Sequence, residues 1–282
     1  MSDYKKAAAE VFYEMARMIK TGESGQKISI GLSIVGSEIH AEELVQGARD
    51  AMRQDRNLEV AIIGPYPGDD LPVYQAHNDE EVAAILEDLL DRKILNAVVT
   101  MHYPFPIGVA TVGKVITPAR GKPMYIATTT GTSAADRVQA MVKNAVYGIA
   151  VARADGIKNP TVGILNVEGA RQVERHLESM REKGYSFAWG SSQRSDGGHV
   201  LRGNDLITGS VDVLVTDTLT GNVLMKLFSS FNSGGNYETV GFGYGPGIGE
   251  DFDRLILILS RASGRPVVAG AIQYAAAMVR GK

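Results

Sequence analysis

The sequence predicts an α/β protein with a doubly wound, mostly parallel sheet and helices on both faces. Three observations carry this. Short apolar, β-branched runs alternate with helix-periodic segments along the chain. The clearest run, 211–215, is apolar and mostly β-branched apart from Asp212 and is bounded by Gly209 and Asp217, as a buried strand is. Four of the runs end at a polar position, His102, Thr130, Asn166 and Asp217, the arrangement of a parallel sheet whose ligands sit at strand C-termini.

In chain order, the acidic segment with Asp3, Glu10 and Glu14 among Ala7–Ala9 reads as helical and unlike a signal peptide. Strands are expected at 28–34 and 60–63, with a helix at 42–53 between them. The helix 79–91 has Asp79, Glu80 and Glu81 early and Arg92 and Lys93 at its end. That order suits the helix dipole and marks a solvated face. Strands at 97–101 and 124–128 precede a long apolar helix, 134–154, and 156–160 is the best place for a subdivision of an otherwise single domain, 1–282. Then come strand 162–166, helix 170–183, and strands 187–190 and 211–216. Helix 221–231, strand 255–259 and helix 268–280 complete the order. The Gly-rich stretch 241–250 lacks the spacing of a dinucleotide fingerprint and reads as a mobile loop, or one passing close to a ligand.

Composition narrows the function. The 282 residues are 44% hydrophobic and carry a net charge of −3, with no basic clusters, so nucleic acid is not an expected partner. No apolar run is long enough for an integral membrane segment, and a cytoplasmic protein is expected. The sequence contains no cysteine, which excludes disulfides, thiolate metal sites and a Cys nucleophile. His40, His77, His176 and His199 have no partners at ligand spacing, so neither a metal nor any other cofactor is expected.

Four strand ends carry candidate chemistry. Thr129, Thr130, Gly131, Thr132 and Ser133 offer hydroxyls and N–H groups for a phosphate. Asn166 is followed by Glu168 and Arg171, the latter able to grip a phosphoryl or carboxylate group or to pair with Glu168. Asp217, Thr220, Gly221 and Asn222 open a helix on which Lys226 lies one turn beyond Asn222, aimed at the same point, with Asp217 holding Lys226 or accepting a proton. Arg202, Asn204 and Asp205 join this group from a charged loop upstream. His102 follows strand 97–101 directly and is a candidate general acid. Ordinary helix capping by Thr, Asp and Asn is the alternative for most of these residues. If the polar positions form one site, Thr130, Asn166, Asp217 and His102 share one edge of the sheet.

Several long motifs carry a resemblance: N-A-V-V-T-M-H-Y-P-F-P-I-G (96–108), T-T-T-G-T-S (128–133), G-I-L-N-V-E-G-A-R-Q-V-E-R (163–175), T-D-T-L-T-G-N (216–222) and G-Y-G-P-G-I-G-E (243–250). Together they resemble the PlsX-type phosphate acyltransferases, and more nearly the PlsX-like alpha subunit of component C of glycine, sarcosine and betaine reductases. The resemblance implies an isocitrate/isopropylmalate dehydrogenase-like fold, as in PlsX. It also implies transfer of an acyl group, such as acetyl, between a thioester and inorganic phosphate. Within it Asn222 and Lys226 serve phosphate and oxyanion. A homodimer, a thiolase-like partner subunit, or both are implied, and the apolar stripe Val138, Met141, Val142, Val146 and Ile149 is the expected contact. The component C pattern has a cysteine where this chain has Val98, so an acyl-thioester on this subunit is excluded. Two alternatives stay open: a PlsX-type acyl-carrier-protein phosphate acyltransferase of fatty acid and phospholipid synthesis, and a non-catalytic scaffold of a two-subunit acyl-transfer complex. A metal- and NAD-dependent decarboxylating dehydrogenase is disfavoured, because paired Asp ligands and an Arg cluster are missing.

Overall fold

A computed structural model describes residues 27–195 and 197–281, together with 12, 13 and 16. The helical reading of the acidic N-terminal segment falls largely outside the described residues. Strand β1 (Ile28–Ser33), helix α1 (Ala41–Gln54), β2 (Leu58–Ile63), β3 (Val73–Tyr74), α2 (Asp79–Asp91) and β4 (Ala97–Thr100) come first. β5 (Ala110–Ile116) and β6 (Pro123–Gly131) lead to α3 (Arg137–Ala154), β7 (Thr161–Leu165), α4 (Ala170–Glu182), β8 (Ala188–Trp189), β9 (Val200–Leu201) and α5 (Gly203–Thr208). β10 (Val213–Val215), α6 (Thr218–Ser229), β11 (Gly245–Ile248), β12 (Ile256–Ile258) and α7 (Arg265–Arg280) follow.

The strands form one 12-stranded sheet in the order β3-β2-β1-β4-β12-β11-β5-β6-β10-β7-β8, with β9 also paired to β7. β1, β2, β3, β4 and β12 are mutually parallel, and so are β6, β10, β7, β8 and β9. Between the groups, β12–β11, β11–β5 and β5–β6 are all antiparallel. Three reversals turn the second group against the first, so their C-terminal ends lie on opposite edges of the sheet. The doubly wound expectation holds, but as two opposed parallel halves. Residues 156–160 are the turn between α3 and β7, within the second half.

Both faces are covered. One core takes Leu44 and Val45 of α1, Met141 and Ile149 of α3, Leu177 of α4 and Ile272 of α7. The other takes Leu86 of α2, Leu206 of α5, and Met225 and Phe228 of α6. The α3 stripe expected to face a second subunit is thus largely occupied by the chain itself. Met141 and Ile149 are fully buried, and Val138 and Val142 pack against the same core.

The Gly-rich stretch is not a mobile loop. Its residues 245–248 are β11, the strand that joins the halves. A Cβ on Gly245, whose φ is +84°, would lie 1.8 Å from the Val112 carbonyl oxygen. Likewise 203–208, read as part of a charged loop, is the helix α5. Its Asp205 is buried and spent on Ser192 and on the N–H groups of Gln193 and Arg202.

Candidate active site

At the C-terminal edge of the second half, the ends of β6, β7 and β10 bring Thr130, Asn166 and Asp217 together, as expected. Three helices, α3, α4 and α6, begin there, and their N-termini favour negative charge. Most of the polar groups are already committed. Asp217 caps α6 by accepting from the Thr220 N–H at 3.0 Å and the Thr220 hydroxyl at 2.7 Å, and it pairs with Arg137 at 3.0 Å. The chain's own carboxylate therefore occupies the helix start that Thr220, Gly221 and Asn222 open.

The Thr-rich run is equally engaged. Its residues up to Gly131 belong to the strand β6, and Thr132 and Ser133 follow it. Thr129 donates to the Tyr244 carbonyl at 2.8 Å, and the Thr130 N–H bonds Thr111 Oγ1 at 3.0 Å. Thr132 exchanges backbone bonds with Val109 and Gly108, and Ser133 Oγ lies 2.6 Å from Asn144 Oδ1. Asn222 donates from Nδ2 to the Thr129 carbonyl at 3.0 Å, clamping α6 to β6. Gly221 permits that contact, because a Cβ there would lie 1.8 Å from the Thr128 oxygen. Arg171 is exposed and pairs with Glu174 at 2.8 Å, not with Glu168.

Two predicted residues part from this group. His102 follows β4, which ends at the opposite edge, so the single shared edge expected for Thr130, Asn166, Asp217 and His102 loses His102. Lys226 neither turns back to Asn222 nor meets Asp217. α6 starts at one edge and runs back across the sheet face. Lys226, near its far end, donates to Ser260 Oγ at 2.6 Å and lies 3.1 Å from Glu238 Oε1. Ser260 comes two residues after the end of β12. Thr100 of β4 is the register partner of Ile258, so His102 and Ser260 occupy matching positions beyond neighbouring strand ends.

The first-half edge therefore holds a second constellation. Glu238 is 1% exposed, while the Lys226 side chain is half exposed. The Glu238 backbone is pinned by bonds to Ala262 and Gly264. Its Oε1 sits within ion-pair distance of Lys226 but forms no aligned hydrogen bond, so the pairing is chiefly one of charge. Tyr244, 3% exposed, lies against both Ser260 and Glu238, and burial followed by the Glu238 charge pushes its phenol well above the usual tyrosine range. Ser260 Oγ accepts from Lys226 and, at 3.2 Å, from the Ala262 N–H. Both acceptor positions are filled, so the Ser260 hydrogen remains as a donor. Arg261, half exposed over Gly36 in the loop after β1, is a second cation at this edge but is paired with Asp79 at 3.3 Å.

Reading from the sequence missed Ser260, Arg261, Glu238 and Tyr244. One signal was present: S-R-A-S-G-R-P (260–266) directly follows strand 255–259 and opens the last helix, with Pro266 at a position typical of a helix start. Nothing local in the sequence ties Glu238 to Lys226.

Two opposed parallel halves with polar strand ends at each edge define a doubly wound α/β protein. The structure of a branched-chain phosphotransacylase from Enterococcus faecalis V583 shares this fold with a TM-score of 0.59, at 15% identity, over 89% of this chain and 99% of that one. The chain belongs to the PlsX family, described as fatty acid synthesis protein, whose sequence profile matches residues 28–280. It is 52% identical over 280 residues to the alpha subunit of the glycine/sarcosine/betaine reductase complex component C of Peptoclostridium acidaminophilum. That match covers 99% of this chain and 73% of the relative. A phosphate acyltransferase of Phenylobacterium zucineum is 44% identical over 87 residues, 30% of this chain and 24% of that protein.

Proposed function

We propose that this chain is a phosphate acyltransferase that moves an acetyl group between a thioester and inorganic phosphate, as a cytoplasmic subunit of a component C-type reductase system. Family membership supports the reaction class, and the component C relative supports the setting. The observation that carries the site is the Lys226–Ser260 pair at the first-half edge, with His102 on the adjacent strand end.

The reaction asks little covalent help of the protein. A phosphate oxygen adds to the thioester carbonyl carbon, the carbonyl electrons move to oxygen, and collapse expels the thiolate, which takes up a proton. The products are an acyl phosphate and a free thiol. Alignment and stabilisation of the developing charge are what the site must supply. Lys226 is placed to hold a phosphate oxygen or the oxyanion, and Arg261 is a second cation at the same edge. Ser260 holds the Lys226 ammonium at this edge by accepting from it. His102 is the group suited to deliver the thiol proton. With no cysteine in the sequence, the acyl group passes directly between the two substrates on this subunit.

The test is phosphate-dependent release of thiol from an acetyl thioester, with the acyl phosphate trapped as hydroxamate. It is run on the isolated chain and with a candidate partner subunit. Arsenate must replace phosphate and drive the thioester to acetate. No phosphate- or arsenate-dependent turnover in either setting refutes the reading. Activity in the complex that survives loss of the first-half edge residues makes this chain a scaffold.

A further inference from the structure

His102, the candidate acid, has no partner of its own to fix its aim. It is exposed, and its ring makes no hydrogen bond among the described residues. Its place is set by the backbone of the segment 101–109 that joins β4 to β5, and that backbone is held on both sides of it. Before it, the Thr100 hydroxyl donates to the His102 carbonyl at 3.2 Å. After it, Tyr103 is 8% exposed and its phenol donates to Glu87 Oε1 of α2 at 2.7 Å. Arg254, paired with Asp91 at 2.9 Å one turn further along α2, lies beside the same phenol. Rings complete the hold. Tyr103 packs edge-on to Phe105 with centroids 5.0 Å apart, and Phe105 packs edge-on to Phe252 at 5.5 Å. Phe105 rests on the joining strand β11, where a Cβ on Gly247 would come within 2.3 Å of its ring. Pro104 and Pro106 restrict the backbone on either side of Phe105.

We infer that Tyr103 is a positioning residue for His102, with Glu87 as the fixed point it is held against. The inference rests on the acid role proposed for His102. Helix α2 is a suitable reference because its first residue, Asp79, is paired with Arg261, the neighbour of Ser260. One helix thus braces two strand ends of the site, β12 through Arg261 and β4 through Tyr103. The step served is collapse of the tetrahedral adduct. The C–S bond breaks and its electrons stay on sulfur, the oxyanion electrons re-form the carbonyl, and a His102 N–H proton passes to the sulfur. Such a transfer tolerates little displacement, since about 1 Å of misplacement can cost roughly 100-fold. Burial, and then the bond to Glu87, push the Tyr103 phenol up to about 12, so it stays a donor throughout the neutral range.

The test compares two acetyl thioesters in the phosphate-dependent thiol-release assay, on the chain alone and with the partner subunit. One carries an alkyl thiol, a poor leaving group that needs the proton. The other carries an aryl thiol, which departs as thiolate without it. Tyr103→Phe keeps the ring packing and is expected to melt within a few degrees of wild type. For the alkyl thioester its kcat should fall about 10- to 100-fold with KM for phosphate within about twofold, while the aryl thioester loses less than about threefold. Glu87→Leu should reproduce this pattern. The double variant should fall no further than either single one, because all three remove the same bond. A Tyr103→Phe chain that turns over both thioesters as wild type does, or loses both equally, overturns the inference. So does a double variant whose losses add. His102→Gln, measured beside them, separates the two levels. If it selectively loses the alkyl thioester while Tyr103→Phe does not, only the positioning role falls. If it treats the thioesters alike, or if the wild type shows no turnover, the acid role falls and takes this inference with it.

Discussion

Replacing Lys226 by Met keeps the length of the stem and removes the ammonium. Ser260 Oγ then loses its 2.6 Å donor, and Glu238 loses the cation 3.1 Å away. Stripping one partner from a fully buried ion pair costs about 3–5 kcal/mol. Here only Glu238 is fully buried, while the Lys226 side chain is 50% exposed, so solvent screening reduces the loss to roughly 1–3 kcal/mol. That corresponds to a fall of a few degrees in Tm for a chain of this size. The effect on catalysis is larger. A charge-assisted bond to phosphate contributes about 1.5–3 kcal/mol, so KM for phosphate rises roughly 10- to 150-fold, with a smaller fall in turnover. Thiol release followed against phosphate concentration, beside melting curves on the same samples, reads both quantities. The double variant Lys226→Met/Glu238→Gln removes the stranded carboxylate. It recovers most of the lost Tm and none of the phosphate affinity. Wild-type kinetics in Lys226→Met refute the site, and a Tm in the double variant as low as in the single one refutes the pairing.

Three further outcomes follow from the contacts. Asn222→Ala removes the bond to the Thr129 carbonyl, lowering stability by ~1 kcal/mol; because that amide is already committed, kcat/KM should change less than about threefold once the protein is folded. Phosphate–acetyl phosphate isotope exchange is expected to be absent from the isolated chain without thiol, since no cysteine is available to hold the acyl group; exchange without thiol would show another nucleophile. Burial, first among the causes, raises the phenols of Tyr103 (to about 12), Tyr125, Tyr244 and Tyr274. These phenols keep their protons in the folded state above pH 10 while the unfolded chain loses them. Their contribution is complete below pH 10 and is lost as pH rises above it, by at most roughly 1.4 kcal/mol per unit for each tyrosine. Denaturant midpoints should thus stay level up to pH 10 and fall steeply beyond, with phenolate absorbance rising together with unfolding.

The halves of the fold were not equally legible in the sequence. Runs such as 97–101 and 211–216 declared themselves because a strand buried on both faces is mostly apolar, and here only Thr100, Asp212 and Thr216 interrupt the Ala, Val, Leu and Met positions. The Asp79–Asp91 helix was placed to the residue, since Asn78 caps it and Glu81 bonds back to the His77 N–H. The joining strands β5 and β11 were not legible. A-T-V-G-K-V-I has glycine and lysine in its middle, and G-P-G-I has the composition of a turn. Their residues are set by close backbone approach, which leaves no periodic mark. Missing them concealed the three antiparallel steps, and with those the reversal that puts His102 and Asp217 on different edges.

That reversal gives α6 its meaning. A helix that follows a strand normally returns beside its own half and leaves its C-terminus at the edge away from the ligands. In a sheet whose halves run in opposite directions, the same return path ends at the other half's C-terminal edge. Asp217 at the start of α6 serves one edge, Lys226 near its end serves the other, and Asn222 between them ties the helix to β6. The T-D-T-L-T-G-N and K segments, close in sequence, therefore do different work because 1.5 Å of rise per residue carries Lys226 about 14 Å from Asp217 along the helix. A motif that reads as one anion site is, in the folded chain, a cap, a clamp and a cation, and only the cation faces the edge where Ser260 and His102 stand.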